Sequence, residues 1–507
     1  MNGRMSGKEI DEVNSRIDIG HTPAEIAEGN VLIAEAVKGR KNGQKPRGTR
    51  RRRERERHDP LDEAGLTDVG NADRLIYLHA DNLRFCDPWD AWLVWDGKRW
   101  LRDRERIVYR WAEETATAIF GEAAEEPDPE RKTALAKHAI RSQTESRIKA
   151  MVGLARSKPD VPVLPETFDR APWLLNCQNG TLSLRTGELR EHRREDLLSK
   201  ITPVAYDHSA ECPRWLQFLD EVTNGNERLK AFLQRLAGYC LTGDVSEQKL
   251  FFLHGPGANG KSKFLEALLY VLGDYGRTMA PDLLMMRMGN DHPTAIADLC
   301  GARLVTTVET DEGRRFAESF VKQLVGGDVL KARRMREDFW EFEPECKVLL
   351  AANHKPTIRG TDWAIWRRID LIPFSVVIPE ERRDKALGAK LKGEASGILR
   401  WAVEGCVTWQ RDGLAEPNEV RAATAAYRAE SDVLGDFIAD CCLQGATFQV
   451  SRAALRKAYE DWAQRAGERP IGAKMMADRL RERGFAEGKV SQERGWLGVG
   501  LQDEAVG

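Results

Sequence analysis

Eight consecutive residues, Gly255-Pro256-Gly257-Ala258-Asn259-Gly260-Lys261-Ser262, satisfy G-x-x-x-x-G-K-[ST] in full. Glycines at this spacing let backbone N–H groups turn inward around phosphate oxygens, and a helix that follows offers its positive end. A lysine in the seventh position reaches the β- and γ-phosphates, and the hydroxyl after it ligates Mg²⁺. The chemistry expected is therefore binding of ATP with Mg²⁺, with Gly255 to Ser262 as the cradle. Further along, Glu309-Thr310-Asp311-Glu312 follows the apolar run LVTTV. Carboxylates at a strand end can hold the metal and polarise an attacking water, although a charged turn would read the same way. Asn353 ends the run KVLLAA, where an amide can hydrogen-bond the attacking water or the γ-phosphate. Arg367 and Arg368 stand directly before another apolar run, IDLIPF. An arginine delivered to a neighbouring subunit's γ-phosphate stabilises transition-state charge, worth ~10³–10⁵ in rate. Between these motifs lies VKQLVGGDVLKARRMREDFWEFEP. It reads as an extended arm, a basic tip with Lys331, Arg333, Arg334 and Arg336, and a returning strand. A basic tip directly before a buried strand favours contact with DNA over a solvated surface.

These residues need elements to hold them. QKLFFL before the glycine loop and KFLEALLYVL after it supply a strand and a helix. LVTTV and KVLLAA have the continuous apolar character of parallel strands buried on both faces. The fold class expected is α/β: a P-loop core with a parallel sheet and helices over residues 206–380. A mixed α+β domain is expected ahead of it, over 60–205. There WDAWLVWDGKRW reads as two strands around Asp96-Gly97, and WLLNCQNGTLSLRTGELREH as strands around Asn179-Gly180 and Thr186-Gly187. A helical connector is expected over 381–430. Over 431–507, two amphipathic helices and a strand pair around Arg494-Gly495 follow the order of a winged helix.

Residues 1–59 differ in character. Thr22, Pro23 and Glu25 carry the capping signals of a short helix, and Lys38 to His58 is a dense basic run that cannot build a core. This tail either is a solvated linker or holds DNA phosphates without reading sequence. Net charge over the whole chain is −2, so the chain is not a uniformly basic nucleic-acid binder. The nine cysteines contain no C-x-x-C pair and the histidines no H-x3-5-H cluster, which argues against a zinc site or a disulfide framework. No apolar run reaches the ~18 residues of a membrane span and no h-region opens the chain, so no membrane partner is expected.

GPGANGKS, LVTTVETDEGRR, KQLVGGDVLKARR, KVLLAANHKP and DWAIWRRIDLIPF, in that order, resemble the superfamily 3 helicases of the phage and plasmid primase–helicase type, which are related to poxvirus helicase–primases. The resemblance runs from about Leu66 to the end. It implies an AAA+ motor with a C-terminal winged helix, working as a homo-hexameric ring. It implies Lys261 and Ser262 for nucleotide and Mg²⁺, Glu309 as the Walker B acid, Asn353 as sensor and Arg368 as the finger. The hairpin tip near Arg336 is implied to touch single-stranded DNA. Two features depart from the pattern. Thr310 stands where many members have a second acid, which leaves the roles of Asp311 and Glu312 open. The paired arginines make the finger ambiguous, and Arg368 is favoured because it directly precedes Ile369. The function implied is an ATP-dependent DNA helicase for replication of a phage, prophage or plasmid, in the host bacterial cytoplasm. Its partners would be single-stranded and forked DNA, with a separate primase or other replisome proteins. The alternatives are an ATP-regulated initiator or loader with little unwinding, and a helicase–primase. Residues 1–59 are too few for a polymerising domain, so no primer synthesis is expected from this chain alone.

Overall fold

The structure is a computed structural model and describes residues 64–286, 293–309, 314–334, 338–358, 363–466 and 470–502. The expected helix near Thr22 and the basic run from Lys38 lie outside the described residues, as do Asp311, Glu312 and Arg336. The chain divides into two compact units. One is Met1–Arg170 with Glu191–Lys200, and the other is Ala171–Arg190 with Ile201–Gly507. No helix among the described residues is long and apolar enough to cross a membrane.

In the first unit, Ala91–Trp95 and Trp100–Arg102 pair antiparallel across the expected turn, where Gly97 adopts φ 99°. A third strand, Leu83–Cys86, completes the sheet. Helices Asp68–His79, Ile107–Glu125 and Glu145–Ala155 close a core around Leu75, Phe85, Val108 and Met151.

The second unit is built on five parallel strands. These are β1 (Leu250–His254), β2 (Gly276–Thr278), β3 (Leu304–Glu309), β4 (Lys347–Ala352) and β5 (Ile369–Pro373). They lie in the order β5-β1-β4-β3-β2. Side chains alternate across the sheet, as a strand requires. Phe251, Leu253, Leu349 and Ala351 face one core with Trp215, Phe264 and Trp401, while Leu250, Phe252, Val348 and Leu350 face another with Leu324, Trp366 and Tyr427. Burial on both faces explains why these strands read as unbroken apolar runs. β2, with Gly276, Arg277 and Thr278, carries no such signal and is legible only from its pairing with β3.

The sequence places residues 171–205 in the preceding domain, but the structure groups 171–190 and 201–205 with the five-stranded sheet. Arg303, just ahead of β3, is the reason. Its buried guanidinium donates to the carbonyls of Ala171 and Leu174, and to Leu241 at the end of helix Glu227–Leu241. Lys347, beginning β4, donates to Thr242 and Asp244 at the same helix end, where the dipole is negative. At the C-terminus the order is helix Val433–Cys441, strand Cys442–Ser451, helices Arg452–Arg465 and Ala473–Glu482, then strands Ala486–Val490 and Glu493–Leu501. The last turn falls at Ser491 and Gln492, both left-handed, rather than at Arg494-Gly495. Gly495 is instead needed within its strand, because a Cβ there would lie 2.6 Å from the Val450 carbonyl.

Helices Glu227–Leu241 and Ala395–Asp412 approach through glycine on both sides. A Cβ on Gly405 would lie 2.0 Å from the Gln234 carbonyl, and one on Gly238 would lie 2.0 Å from the Cys406 nitrogen. Alanine gains ~1 kcal/mol of helix propensity over glycine, but backbone has little room to move, so overpacking should prevail. Gly405→Ala is expected to lower unfolding free energy by roughly 2 kcal/mol net. A urea titration showing equal or greater stability would contradict this close contact.

Candidate nucleotide site

The loop 255–260 joins β1 to α1 (Lys261–Leu272). Two of its glycines are required by their surroundings. A Cβ on Gly255 would lie 2.0 Å from the Phe374 carbonyl, and one on Gly260, at φ 87°, would lie 2.5 Å from Val222 Cγ1. Gly257 meets nothing within 4 Å, and Pro256, Gly257 and Ala258 form the exposed crest. Asn259 is buried beneath them and donates through Nδ2 to the Phe374 carbonyl at 2.7 Å. The Ile378 N–H donates to the Ala258 carbonyl at 2.9 Å. The chain leaving β5 thus clasps the loop that leaves β1.

Lys261 is 6% exposed, although its neighbour Ser262 is open to solvent in the first turn of α1. Its ammonium donates to four oxygens: Gly255 O at 2.6 Å, Pro256 O at 3.2 Å, Asn259 Oδ1 at 3.2 Å and Asn353 Oδ1 at 2.9 Å. All four are uncharged. Burial without a counter-charge lowers the lysine pKa from 10.5 to about 8. His254, the last residue of β1, is also held below its ordinary value, by burial and then by the charges of Lys355 and Lys261. Asn353 reaches Lys261 because strand register brings their elements level. His254 pairs with Ala352, and Ala352 pairs in turn with Glu309. Parallel strands lie about 4.8 Å apart, so the glycine loop, Asn353 and the end of β3 leave the sheet side by side. In an open parallel sheet, ligands bind at these carboxyl ends.

The arginines lie at the other end of the sheet. The Leu250 N–H donates to the Arg368 carbonyl at 2.6 Å, so Arg368 is level with the start of β1. The glycine loop begins five residues later, about 16 Å along the strand. Arg367 is exposed, and Arg368 is half-buried with Nη1 donating to the Ala364 carbonyl at 2.7 Å. The arm forms as an antiparallel pair, Leu330–Ala332 with Trp340–Phe342. Lys331 and Arg333 are exposed and Arg334 half-buried. Phe339, which the sequence reading did not single out, is 51% exposed, with Lys331 Nζ 5.2 Å and the Arg333 guanidinium 5.3 Å from its ring centre. Cations interleaved with an exposed aromatic ring were the available signal.

Two family models match the chain. A "D5 N terminal like" domain covers residues 72–224, and a family of unknown function, DUF5906, covers 253–368. Among curated proteins, a mimivirus protein from Acanthamoeba polyphaga mimivirus with a provisional helicase name is 28% identical over 301 residues. That match covers 55% of this chain and 31% of the relative. A provisional helicase of Frog virus 3 is 22% identical, covering 47% of this chain and 26% of the relative. A provisional primase of African swine fever virus is 25% identical, covering 40% and 22%. The chain therefore spans less than a third of the length of these relatives. The solved C-terminal region of NrS-1 in its apo form aligns with a TM-score of 0.45 at 12% identity, over 82% of this chain and 96% of that one. By these matches the chain is similar to parts of viral proteins that carry helicase and primase names.

The buried ammonium makes a pH prediction. An unfolded lysine keeps its proton to about pH 10.5, whereas folded Lys261 releases it near 8. Between these values the unfolded state binds more protons, so this group adds stability as pH rises. Lys347, also lowered to about 8 by burial, acts in the same direction in both proteins compared. The melting temperature of nucleotide-free wild type, minus that of Lys261→Met, should therefore increase from pH 7.5 to 9.5. A difference independent of pH would mean that Lys261 is not desolvated.

Proposed function

We propose that the chain is an ATP-driven DNA helicase of a phage, prophage or plasmid replication system, translocating on single-stranded DNA as a ring. The observation that carries this reading is the Lys261 ammonium, buried among uncharged oxygens at the carboxyl end of a parallel sheet and in contact with Asn353. A cation held this way favours an anion in the glycine cradle, and phosphate matches the loop's turned backbone. In this reading the Gly255–Gly260 backbone and Lys261 hold the phosphates of ATP, and the exposed Ser262 hydroxyl takes the Mg²⁺ that comes with it. Glu309, whose backbone pairs with Ala352 on the neighbouring strand, would complete the metal site and orient water. Asn353 senses the γ-phosphate. The names of the viral relatives support a role in replication, and the exposed Phe339 between Lys331 and Arg333 supports stacking of single-stranded bases on the arm. Arg334 and Arg336 would add phosphate contacts. The C-terminal order of helix, strand, two helices and hairpin supports the winged-helix assignment. Lys261→Ala is expected to keep its far-ultraviolet circular dichroism while ATP turnover, with or without single-stranded DNA, falls at least a hundredfold. Near-wild-type turnover in a folded Lys261→Ala protein would remove the motor reading.

The separation of the arginines from the glycine loop supports catalysis between subunits. Arg368, with Arg367 beside it, would serve the loop of a neighbouring copy, and each complete site would be shared by two chains. Lys261→Ala retains the arginines and Arg368→Ala retains the loop, so each is inactive alone, yet mixed assemblies would contain intact junctions. Mixing the two folded variants is expected to restore measurable ATPase. A folded, assembling Arg368→Ala whose mixture stays inactive would exclude Arg368 as the shared residue, and the same mixture made with Arg367→Ala tests its neighbour.

A further inference from the structure

Helix Asn418–Glu430 runs along β5, the edge strand of the motor sheet. Val420, Thr424 and Tyr427, spaced by four and three, share one face. The Leu371 N–H of β5 donates to Thr424 Oγ1 at 2.9 Å, so a side chain occupies a position that a sixth strand would fill. Tyr427 is buried and touches three elements of the site at once. Its ring meets Phe252 of β1 at 5.8 Å and 60°, two residues before His254. It meets Trp366, the residue preceding Arg367 and Arg368, at 5.2 Å and 85°. Its hydroxyl donates to the carbonyl of Pro356, three residues after Asn353. At the helix end, Glu430 accepts from Lys355 Nζ at 2.6 Å, fastening the segment after Asn353 a second time. Both ring contacts are edge-on, the geometry in which aromatic pairs are directional rather than merely apolar.

We propose that Tyr427 is a positioning residue for ATP hydrolysis. It holds the segment that follows Asn353 and the short helix that leads to Arg367 and Arg368 as one body. The assignment rests on the motor reading above. β4 and β5 are not neighbours, since β1 lies between them, and so no strand pairing couples the sensor to the arginines. Tyr427 bridges both through one rigid side chain. A γ-phosphate contact at Asn353 would then alter the arginines offered to the next subunit. Two residues after the helix ends, Asp432 caps Val433–Cys441 through the Gly435 N–H and pairs with Arg483. The C-terminal domain is therefore attached one turn beyond Tyr427.

Two variants test the assignment by steady-state ATPase kinetics and melting. Tyr427→Phe keeps the ring contacts and removes the bond to Pro356, and should lower kcat about fivefold with KM for ATP unchanged. Tyr427→Leu also removes the rings and should lower kcat about a hundredfold. Both should retain the melting-temperature rise given by Mg²⁺-ATP. A wild-type kcat in folded Tyr427→Leu overturns the assignment. So does a loss confined to KM, or one that disappears when the assay is run well below each variant's melting temperature, since a purely structural tyrosine predicts that recovery. Absence of turnover in the wild type is a different failure, because it overturns the motor reading itself and this inference with it.

Discussion

The arrangement on which the second unit depends is a cation held without a counter-charge. Lys261 is buried, its ammonium contacts are neutral, and its proton is weakened to about 8. Such burial is unfavourable unless oxygens converge on it, so the loop must turn the Gly255 and Pro256 carbonyls inward and β4 must end beside β1. The sheet order places β4 between β1 and β3, and their register brings Ala352 level with both His254 and Glu309. A slip of one residue would move the Asn353 amide off the ammonium and turn the alternating core of β4 inside out.

Close backbone approach is the second constraint. The glycine loop is gripped by the Phe374 and Ile378 backbone, which leaves no room for a Cβ at Gly255. The same chain segment begins with Arg367 and Arg368, so the element that carries the arginines at its start clasps the glycine loop at its end. β5 is an edge strand, yet it is not bare: Thr424 caps it and Tyr427 seals the apolar face beneath. Glycine loop, Asn353 and the arginines are thereby joined through packing that is mostly not contiguous in sequence.

Much of this was legible beforehand, for a physical reason in each case. β1, β3 and β4 announce themselves because burial on both faces demands unbroken apolar runs. The arm is readable from basic residues between two short extended stretches, although Phe339 passed unnoticed because an exposed ring is indistinguishable in sequence from a core one. β2 was invisible, since Gly276, Arg277 and Thr278 have no pattern and owe their conformation to β3. Residues 171–190 read as part of the preceding domain because nothing local reveals that Arg303, well over a hundred residues on, holds the Ala171 and Leu174 carbonyls. Gly495 reads as a turn residue, whereas its need is room for the Val450 carbonyl.

The sequence by itself determined the glycine loop, the lysine and hydroxyl at its end, and the order of the strands that carry acid, amide and arginine. Those features are local: spacing along a chain dictates backbone turns and periodicity without reference to anything distant. Only the tertiary structure decided that Asn353 meets Lys261, that Arg368 stands at the opposite end of the sheet, and that Tyr427 spans the two. These depend on strand order and register among segments far apart in the chain, 92 residues for Lys261 with Asn353 and 71 for Tyr427 with Pro356, which packing selects and no short window of sequence encodes.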